Sequence, residues 1–140
     1  MAKLKEISSQ ILLEEYIDDA ICELLVGIKA ERQFGQVLVL GSGGVLAELI
    51  EDTRQLLLPA SDEEIINCLQ NLKVAKLIDG YRGGAKADMQ QLVKVIRRVI
   101  GFASERAAKL ALLEINPLLV RSGGAEPVVV DVVMLGEDLR

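Results

Sequence analysis

The chain of 140 residues contains no histidine. Histidine is the usual general acid or base at neutral pH, so histidine-based proton transfer and histidine metal ligation on this chain are excluded. A phosphohistidine on the chain is excluded as well. A serine-histidine catalytic triad is not available either, because none of the serines has a histidine to activate it.

Aromatic residues and cysteines are scarce. Aromatic residues make up 3% of the chain and tryptophan is absent, whereas 51% of the residues are hydrophobic. The core must therefore be built from leucine, isoleucine, valine and alanine. The two cysteines, Cys22 and Cys68, lie far apart in apolar stretches and lack the spacing of a metal site. We interpret both as buried, reduced thiols and predict a cytoplasmic protein.

The sequence also lacks a basic excess and a long apolar run. Its net charge of −5 argues against nucleic acid or an anionic membrane as the main partner. The first apolar run is interrupted by Glu14 and Glu15, so we expect neither a signal peptide nor a membrane span. The length fits one domain with a real core. We predict a polar lead-in at 1–10 and a single folded unit at 11–140.

The pattern of apolar residues predicts an α/β (α+β) fold, with two helices packed on a mostly antiparallel sheet. Ser61, followed by Glu64, has the spacing of a capping box, and a second helix is predicted to start near Asp88. No alternation of strands and helices of the Rossmann type is present. Short or alternating apolar runs predict strands at 11–17, 22–29, 36–40, 45–51 and 55–58.

The last part of the chain predicts a β-hairpin that carries a polar pair. Gly123-Gly124 separates two apolar runs and suits a tight turn in which both central residues have positive φ. With the turn centred there, Asn116 faces Asp131, with Cβ atoms roughly 5 Å apart. An amide oxygen and a carboxylate that converge in this way suit Mg²⁺. The alternative is that Asp131 caps a strand end and Asn116-Pro117 makes a turn.

A glycine loop precedes the middle of the chain. Gly41-Ser42-Gly43-Gly44 follows an apolar strand, and such loops let backbone N–H groups approach phosphate oxygens. The alternative is a plain glycine turn between strands. Glu48 and Asp52, which follow the loop, are interpreted as part of a solvated face.

Three further charged residues are candidates for ligand binding. Glu14 and Glu23 lie in adjacent predicted strands, where they either face ribose hydroxyls or mark the solvent side of the sheet. Arg82 lies in the glycine-rich stretch Gly80-Tyr81-Arg82-Gly83-Gly84. It is either an anion clamp or a surface arginine that bonds loop carbonyls.

Taken in order, these motifs resemble a known family. The series comprises Phe34-Gly35, Gly41-x-Gly43-Gly44, Gly80-Tyr81-Arg82-Gly83, Asn116-Pro117 and Asp131, and the resemblance runs from about Ile11 to the C-terminus. It resembles the carboxy-terminal part of the ATP-grasp domain in NDP-forming (ADP-forming) acyl-CoA synthetases. The succinyl-CoA synthetase β subunit is a more distant likeness.

The resemblance implies roles for the candidate residues. Asn116 and Asp131 match the positions that hold Mg²⁺ on the phosphates of ATP or ADP. Glu14 matches a hinge strand that contacts adenine and ribose, and Glu23 matches an acidic position that faces the nucleotide cleft. Gly43-Gly44 matches the loop near the phosphoryl-transfer region. The implied reaction interconverts acyl-CoA, phosphate and ADP with the acid, CoA and ATP through a phosphohistidine.

The sequence departs from the family in two ways. No region corresponds to the amino-terminal subdomain with its phosphate-binding lysine, and Lys3 and Lys5 in the lead-in cannot replace it. The phosphohistidine would have to come from another chain. We therefore expect a half-site completed by a lysine subdomain and a CoA-binding subunit on another chain, or a homo-oligomer. The alternatives are a piece of a longer protein, or a non-catalytic relic used for subunit association or nucleotide sensing.

Overall fold

A six-stranded antiparallel sheet forms the centre of the protein. The structure, a computed structural model, describes residues 11–46 and 50–136. The strands run in the order β3-β2-β1-β4-β5, and β6 also pairs with β4. Their bounds are β1 Ala20–Glu31, β2 Gly35–Ser42, β3 Thr53–Leu57, β4 Leu110–Arg121, β5 Val128–Val129 and β6 Val132–Gly136. This confirms the predicted fold class of a mostly antiparallel sheet with helices.

The two faces of the sheet differ. Leu24, Val26 and Ile28 of β1 point to one face, where they are buried in a single hydrophobic cluster with the helices. This is the helix-covered face. Glu23 and Lys29 of β1 point to the opposite side, where Glu23 is exposed and Lys29 is partly buried. This second side is the open face.

Three helices pack on the covered face: α1 Asp62–Gln70, α2 Ala75–Ile78 and α3 Met89–Ser104. Ser61 caps α1 as predicted, since its Oγ accepts from the N–H of Glu64 at 3.2 Å and its own N–H donates to Glu64 Oε2 at 2.7 Å. Asp88 caps α3 by accepting from the N–H groups of Gln90 at 2.8 Å and Gln91 at 3.2 Å. The short helix α2 was not predicted. Within the described residues, no helix has the length and apolar character that a membrane crossing requires.

The terminal hairpin has the predicted register. Leu118 pairs with Val129, and the N–H of Asn116 donates to the carbonyl oxygen of Asp131 at 3.1 Å. Gly123 and Gly124 both have positive φ, as a tight primed turn requires. Asn116 and Asp131 therefore lie directly opposite each other.

Two predicted strands are wrong. Residues 11–19 form no strand, and Leu13 is 93% exposed. Strand β1 already pairs with β2 on one side and β4 on the other, so the apolar run at 11–17 has no free edge of β1 to join. The stretch 45–51 also lacks a strand in its described part, because Gly44–Leu46 forms a 3₁₀ turn. Residues 47–49 lie outside the described residues.

An ion pair attaches the exposed leading segment to the sheet. Nε of Arg121, at the end of β4, donates to Asp19 Oδ1 at 2.7 Å. The carbonyl oxygen of Asp19 also accepts from the N–H of Ser122 at 3.2 Å. The hydrogen bond from Arg121 holds the pKa of Asp19 below its usual value. The chain is thus fixed beside the terminal hairpin just before β1 begins.

Candidate functional site

The glycine loop lies against β1 and β4. The N–H of Gly43 donates to the carbonyl oxygen of Glu23 at 2.9 Å. The N–H of Gly44 donates to Oδ1 of Asn116 at 2.7 Å, across 72 residues of sequence. The structure therefore brings four predicted site residues together: Glu23, Gly43, Gly44 and Asn116.

Packing requires a glycine at position 43, and the positive φ at position 44 favours a glycine there. A Cβ atom on Gly43 would lie 2.6 Å from the carbonyl oxygen of Leu24, too close for any side chain. Gly44 has a φ of +62°, and a Cβ there would overlap the carboxylate of Glu23. The close approach of loop and strand explains the glycines without reference to a phosphate. It also leaves the backbone of Gly44 in contact with Glu23.

Asn116 and Asp131 form a pair of oxygen donors on the open face. Asn116 is half-buried, whereas Asp131 is exposed beside it on the opposing strand segment. An amide oxygen and a carboxylate fit a magnesium ion, which prefers a few protein oxygens with phosphates and water completing its shell. Among residues 11–46 and 50–136, no three acidic or cysteine side chains cluster closely enough to hold a metal by themselves. A metal on this pair would therefore need ligands from a nucleotide or from water.

The charge on this part of the open face is negative. Glu23 and Asp131 lie there, and Glu114 lies two residues before Asn116, opposite Gly27 of β1. Lys29, further along β1, is in an ion pair with Glu31 at 2.8 Å. A bare polyphosphate would be repelled by these carboxylates, whereas a divalent cation would be attracted. This part of the open face therefore favours a divalent cation over an uncomplexed polyanion.

A buried aspartate, Asp52, binds the glycine loop through the side chain of Ser42. Asp52 is 3% exposed, and its Oδ2 accepts from Ser42 Oγ at 2.8 Å and from the N–H groups of Lys73 at 2.7 Å and Val74 at 3.3 Å. Burial raises the pKa of Asp52, but the hydrogen bonds from Lys73, Ser42 and Val74 outweigh it and lower the pKa below its ordinary value of 3.8.

This role of Asp52 corrects its interpretation as part of a solvated face. No local pattern reveals it, since its partners lie 10 and 21 residues away along the chain. Glu48, its companion in that interpretation, lies outside the described residues.

A cleft of about 350 Å³ continues from the glycine loop toward α2. Its volume falls at the lower end of the range typical of small-molecule pockets. Burial raises the pKa of the Cys22 thiol to about 12, so this cysteine is not a nucleophile at neutral pH. The cleft is lined by Ile21, Cys22, Glu23, Ser42, Gly43, Ile50, Lys73, Val74 and Leu77.

Glu14 and Arg82 lie outside this cluster. Glu14 is exposed in the segment at 11–19, so the prediction that it occupies a strand adjacent to Glu23 is wrong. Arg82 is exposed in the turn Tyr81–Gly83, with its guanidinium 5.2 Å from the centre of the Tyr81 ring. In the part of the chain that the structure describes, neither side chain forms a hydrogen bond with the glycine loop or with Asn116.

Comparisons with known proteins point to one family. The family described as ATP-grasp domain matches residues 2–135. The chain is 34% identical over 110 residues to an ADP-forming 4-hydroxybutyrate–CoA ligase of Nitrosopumilus maritimus, covering 79% of this chain and 16% of that protein. It is 25% identical over 109 residues to the beta subunit of ADP-forming acetate–CoA ligase II of Pyrococcus furiosus, covering 78% of this chain and 46% of that subunit.

A solved structure shares the fold. Acetyl-coenzyme A synthetase 1 of Ca. Korarchaeum cryptofilum, in complex with coenzyme A and Mg-AMPPCP, superposes with a TM-score of 0.74 at 27% identity. The match covers 83% of this chain and 53% of that chain. The chain thus spans about half of that structure, and a smaller share of the ligases named above.

Proposed function

Because the chain belongs to the ATP-grasp family, and its relatives are ADP-forming acyl-CoA ligases, we propose that it provides a Mg-nucleotide half-site for phosphoryl transfer in such an enzyme. The reaction would convert acyl-CoA, ADP and phosphate to the acid, CoA and ATP. The observation that carries the proposal is the pair formed by Asn116 and Asp131 across the terminal hairpin, in which Asn116 also contacts the glycine loop.

Asn116 and Asp131 would hold Mg²⁺ through the amide oxygen and the carboxylate. The bound ion would neutralise charge on the phosphates of ATP or ADP. Gly43 and Gly44 would place the backbone of the loop close to those phosphates. Glu23, which lies against Gly44, would face the nucleotide and keep uncomplexed anions away.

Glu14 and Arg82 have a secondary place in the proposal. Glu14 precedes β1 in the exposed segment, and we assign it a contact with adenine and ribose in the complete site. The exposed guanidinium of Arg82 would bind an anion, as arginine does well. Both assignments depend on the surfaces that complete the half-site.

The remaining parts of the site would come from partner surfaces. The phosphohistidine must lie elsewhere, because this chain contains no histidine. We propose that 11–140 forms one subdomain, and that another chain supplies the lysine subdomain and the CoA-binding subunit. The similarity to a beta subunit of an acetate–CoA ligase, which by its name is one part of a larger enzyme, supports this arrangement. The proposed setting is the cytoplasm.

A second function is favoured by the outer strand of the sheet. Val132, Val133, Met134 and Leu135 of β6 are each about half exposed, and Met134 reaches 55%. Strand β6 pairs only with β4 among the described residues, so its other edge is open to a further strand. An apolar edge of this kind marks an association surface. In this alternative, the fold serves subunit association or nucleotide sensing without catalysis.

Calorimetric titration of ADP and ATP into the chain, with and without MgCl₂, tests the proposal. We expect binding that requires Mg²⁺, because the carboxylates of the open face repel a bare polyphosphate. Asp131→Asn serves as the matched variant, since it keeps the size of the side chain and removes its charge. We expect it to bind Mg·ADP more weakly.

The same titration after addition of a recombinant lysine subdomain from an ADP-forming acyl-CoA ligase extends the test to the complete site. Tighter Mg·ADP binding with the added subdomain supports the half-site. Absence of Mg·ADP binding both with and without that subdomain would contradict the half-site and leave the association module as the function.

A further inference from the structure

One oxygen of the proposed metal site, Oδ1 of Asn116, already accepts a hydrogen bond within the protein. Oδ1 of Asn116 accepts the N–H of Gly44 at 2.7 Å, at the short end of the range for N–H···O hydrogen bonds. The same oxygen is the only atom of this amide side chain that binds a hard cation well. The glycine loop and a metal ion would therefore compete for Asn116.

A cation on this oxygen would weaken the hydrogen bond. The amide oxygen has two lone pairs, so both partners fit sterically. A divalent cation, however, withdraws electron density from the oxygen and repels the positive end of the N–H dipole. A backbone N–H that loses its acceptor needs a new one, and an anionic oxygen is the strongest available. A phosphate oxygen held by the same metal would meet this need.

The surrounding contacts confine the change to Gly44. Just before it, the N–H of Gly43 is fixed on the carbonyl oxygen of Glu23 at 2.9 Å, and Ser42 is fixed on Asp52. Gly44 itself has no side chain and has a positive φ that only glycine adopts easily. A small rotation at this one residue is therefore enough to redirect its N–H.

We infer that the hydrogen bond between Gly44 and Asn116 breaks when a cation binds Asn116, so that the N–H of Gly44 changes its acceptor and the loop responds to metal. We call this change of acceptor the exchange. Without a cation, Asn116 holds the N–H of Gly44 against β4. With a cation on Oδ1 of Asn116, the N–H is released toward a phosphate oxygen. Asn116 is thus a positioning residue for the loop as well as a metal ligand. The inference rests on the proposed function, and it adds that the metal prepares a phosphate-binding donor on the loop.

The glycine content of the chain offers a selective probe. The chain has 12 glycines, but only Gly44, Gly84 and Gly124 directly follow another glycine. The chain is labelled with glycine that carries ¹³C in its carbonyl and ¹⁵N in its amide. A carbonyl-filtered spectrum selects amides that follow a labelled carbonyl, so it shows three signals. Gly83→Asn and Gly123→Asn each remove one of them and assign the third to Gly44. Asparagine suits both positions, because it tolerates positive φ.

The first measurement tests the hydrogen bond without metal. In the unaltered chain, we expect the amide proton of Gly44 to resonate downfield and to exchange slowly with solvent. Asn116→Ala removes the acceptor, so the proton should move upfield and exchange faster by roughly fivefold or more. Asn116→Asp retains an acceptor oxygen and should restore slow exchange, which a merely structural loss of Asn116 would not do.

The second measurement adds the metal. We expect MgCl₂, alone and together with ADP, to shift the Gly44 signal while those of Gly84 and Gly124 stay in place. Mg²⁺ alone should move the Gly44 proton upfield, and ADP should then move it downfield as a phosphate oxygen accepts it. A parallel titration with Mn²⁺, from trace to millimolar concentration, reports metal proximity by broadening the Gly44 signal.

Each outcome decides a different point. Broadening by Mn²⁺ with the expected Mg²⁺ shift supports the exchange. Broadening with an unchanged Gly44 shift would overturn the exchange but leave the metal site standing. Absence of broadening at Gly44 at millimolar Mn²⁺, with and without ADP, would overturn the metal site and the exchange together.

Discussion

Leu24 and Leu25 are neighbours on β1, yet they belong to two different environments. Leu24 is fully buried at 0% exposure on the helix-covered face, whereas Leu25 is half-buried on the open face near the glycine loop. The covered face consists of apolar side chains that pack on the helices and supplies most of the stability. The open face combines polar candidates such as Asn116 with apolar surface that remains accessible. Changes on the two faces should therefore alter different properties of the protein.

Leu24→Ala should give the largest effect on stability. Removing a fully buried leucine leaves a cavity, which costs about 3 kcal/mol of unfolding free energy. Leu25→Ala is the matched variant, since it makes the same chemical change one residue away. It should cost about 1 kcal/mol, because its side chain is only half removed from water. Urea unfolding followed by circular dichroism measures both, and equal losses would abolish the distinction between the two faces.

Asp52→Ala should give the next largest effect. The change leaves the hydroxyl of Ser42 and the N–H groups of Lys73 and Val74 without their acceptor in a buried place. We expect a loss of about 2 kcal/mol in urea unfolding. Asp52→Asn keeps an acceptor oxygen and should lose less. A loss below that of Leu25→Ala would contradict the role of Asp52 as the anchor behind the loop.

The lowered pKa of Asp52 should make the stability of the protein depend on pH. The pKa of Asp52 is lower in the folded protein than its ordinary value of 3.8. Its contribution is therefore fully present above that value and is lost as pH falls through the lower, folded-state pKa. Urea unfolding of the unaltered chain and of Asp52→Asn between pH 5 and pH 3 should show a smaller acid loss in the variant. Parallel curves would exclude a contribution from Asp52.

Asp131→Asn should affect binding and leave stability unchanged. The side chain is exposed on the open face, so the unfolding free energy should stay within about 0.5 kcal/mol of the unaltered chain. Loss of the charge should weaken Mg·ADP binding by on the order of tenfold, because ligand charge sets the affinity of such sites. Calorimetry and urea unfolding of the same preparation separate the two properties. A destabilised variant with unchanged binding would reverse the assignment.

Ser61→Ala should give a small loss of stability and should leave nucleotide binding unchanged. The variant removes the N-cap of α1, at a typical cost of about 1 kcal/mol. Mg·ADP binding should not change, because Ser61 is not among the residues that line the cleft or the hairpin pair. Ser61→Thr retains the capping oxygen and should recover most of the stability. Weaker binding in Ser61→Ala would show that the two faces are coupled.

Features determined by neighbouring residues were predictable from the sequence. Turn chemistry at Gly123-Gly124 fixed the register, and with it the pairing of Asn116 with Asp131. The capping box at Ser61 likewise depends only on local spacing. The resemblance to ATP-grasp domains added the candidate roles of these residues, and the family assignment was confirmed.

Features determined by distant contacts were not predictable. The run at 11–17 has the composition of a strand, but the sequence does not show that both edges of β1 are already paired. The anchor formed by Asp52 and the hydrogen bond from Gly44 to Asn116 join residues 10 to 72 positions apart. Only the folded chain brings these groups together, so local patterns carry no sign of them.

Mapping of Mn²⁺ onto the backbone amide signals, with ADP present, tests the central claim most directly. Paramagnetic broadening falls steeply with distance from the bound ion, so it locates the site even when only a fraction of the chains carries Mn²⁺. We predict that broadening centres on Asn116, Asp131 and Gly44 of the open face and leaves the amides of α1 and α3 sharp. Broadening centred on the helices, or spread evenly over the surface acids, would contradict the claim that the open face is the nucleotide half-site.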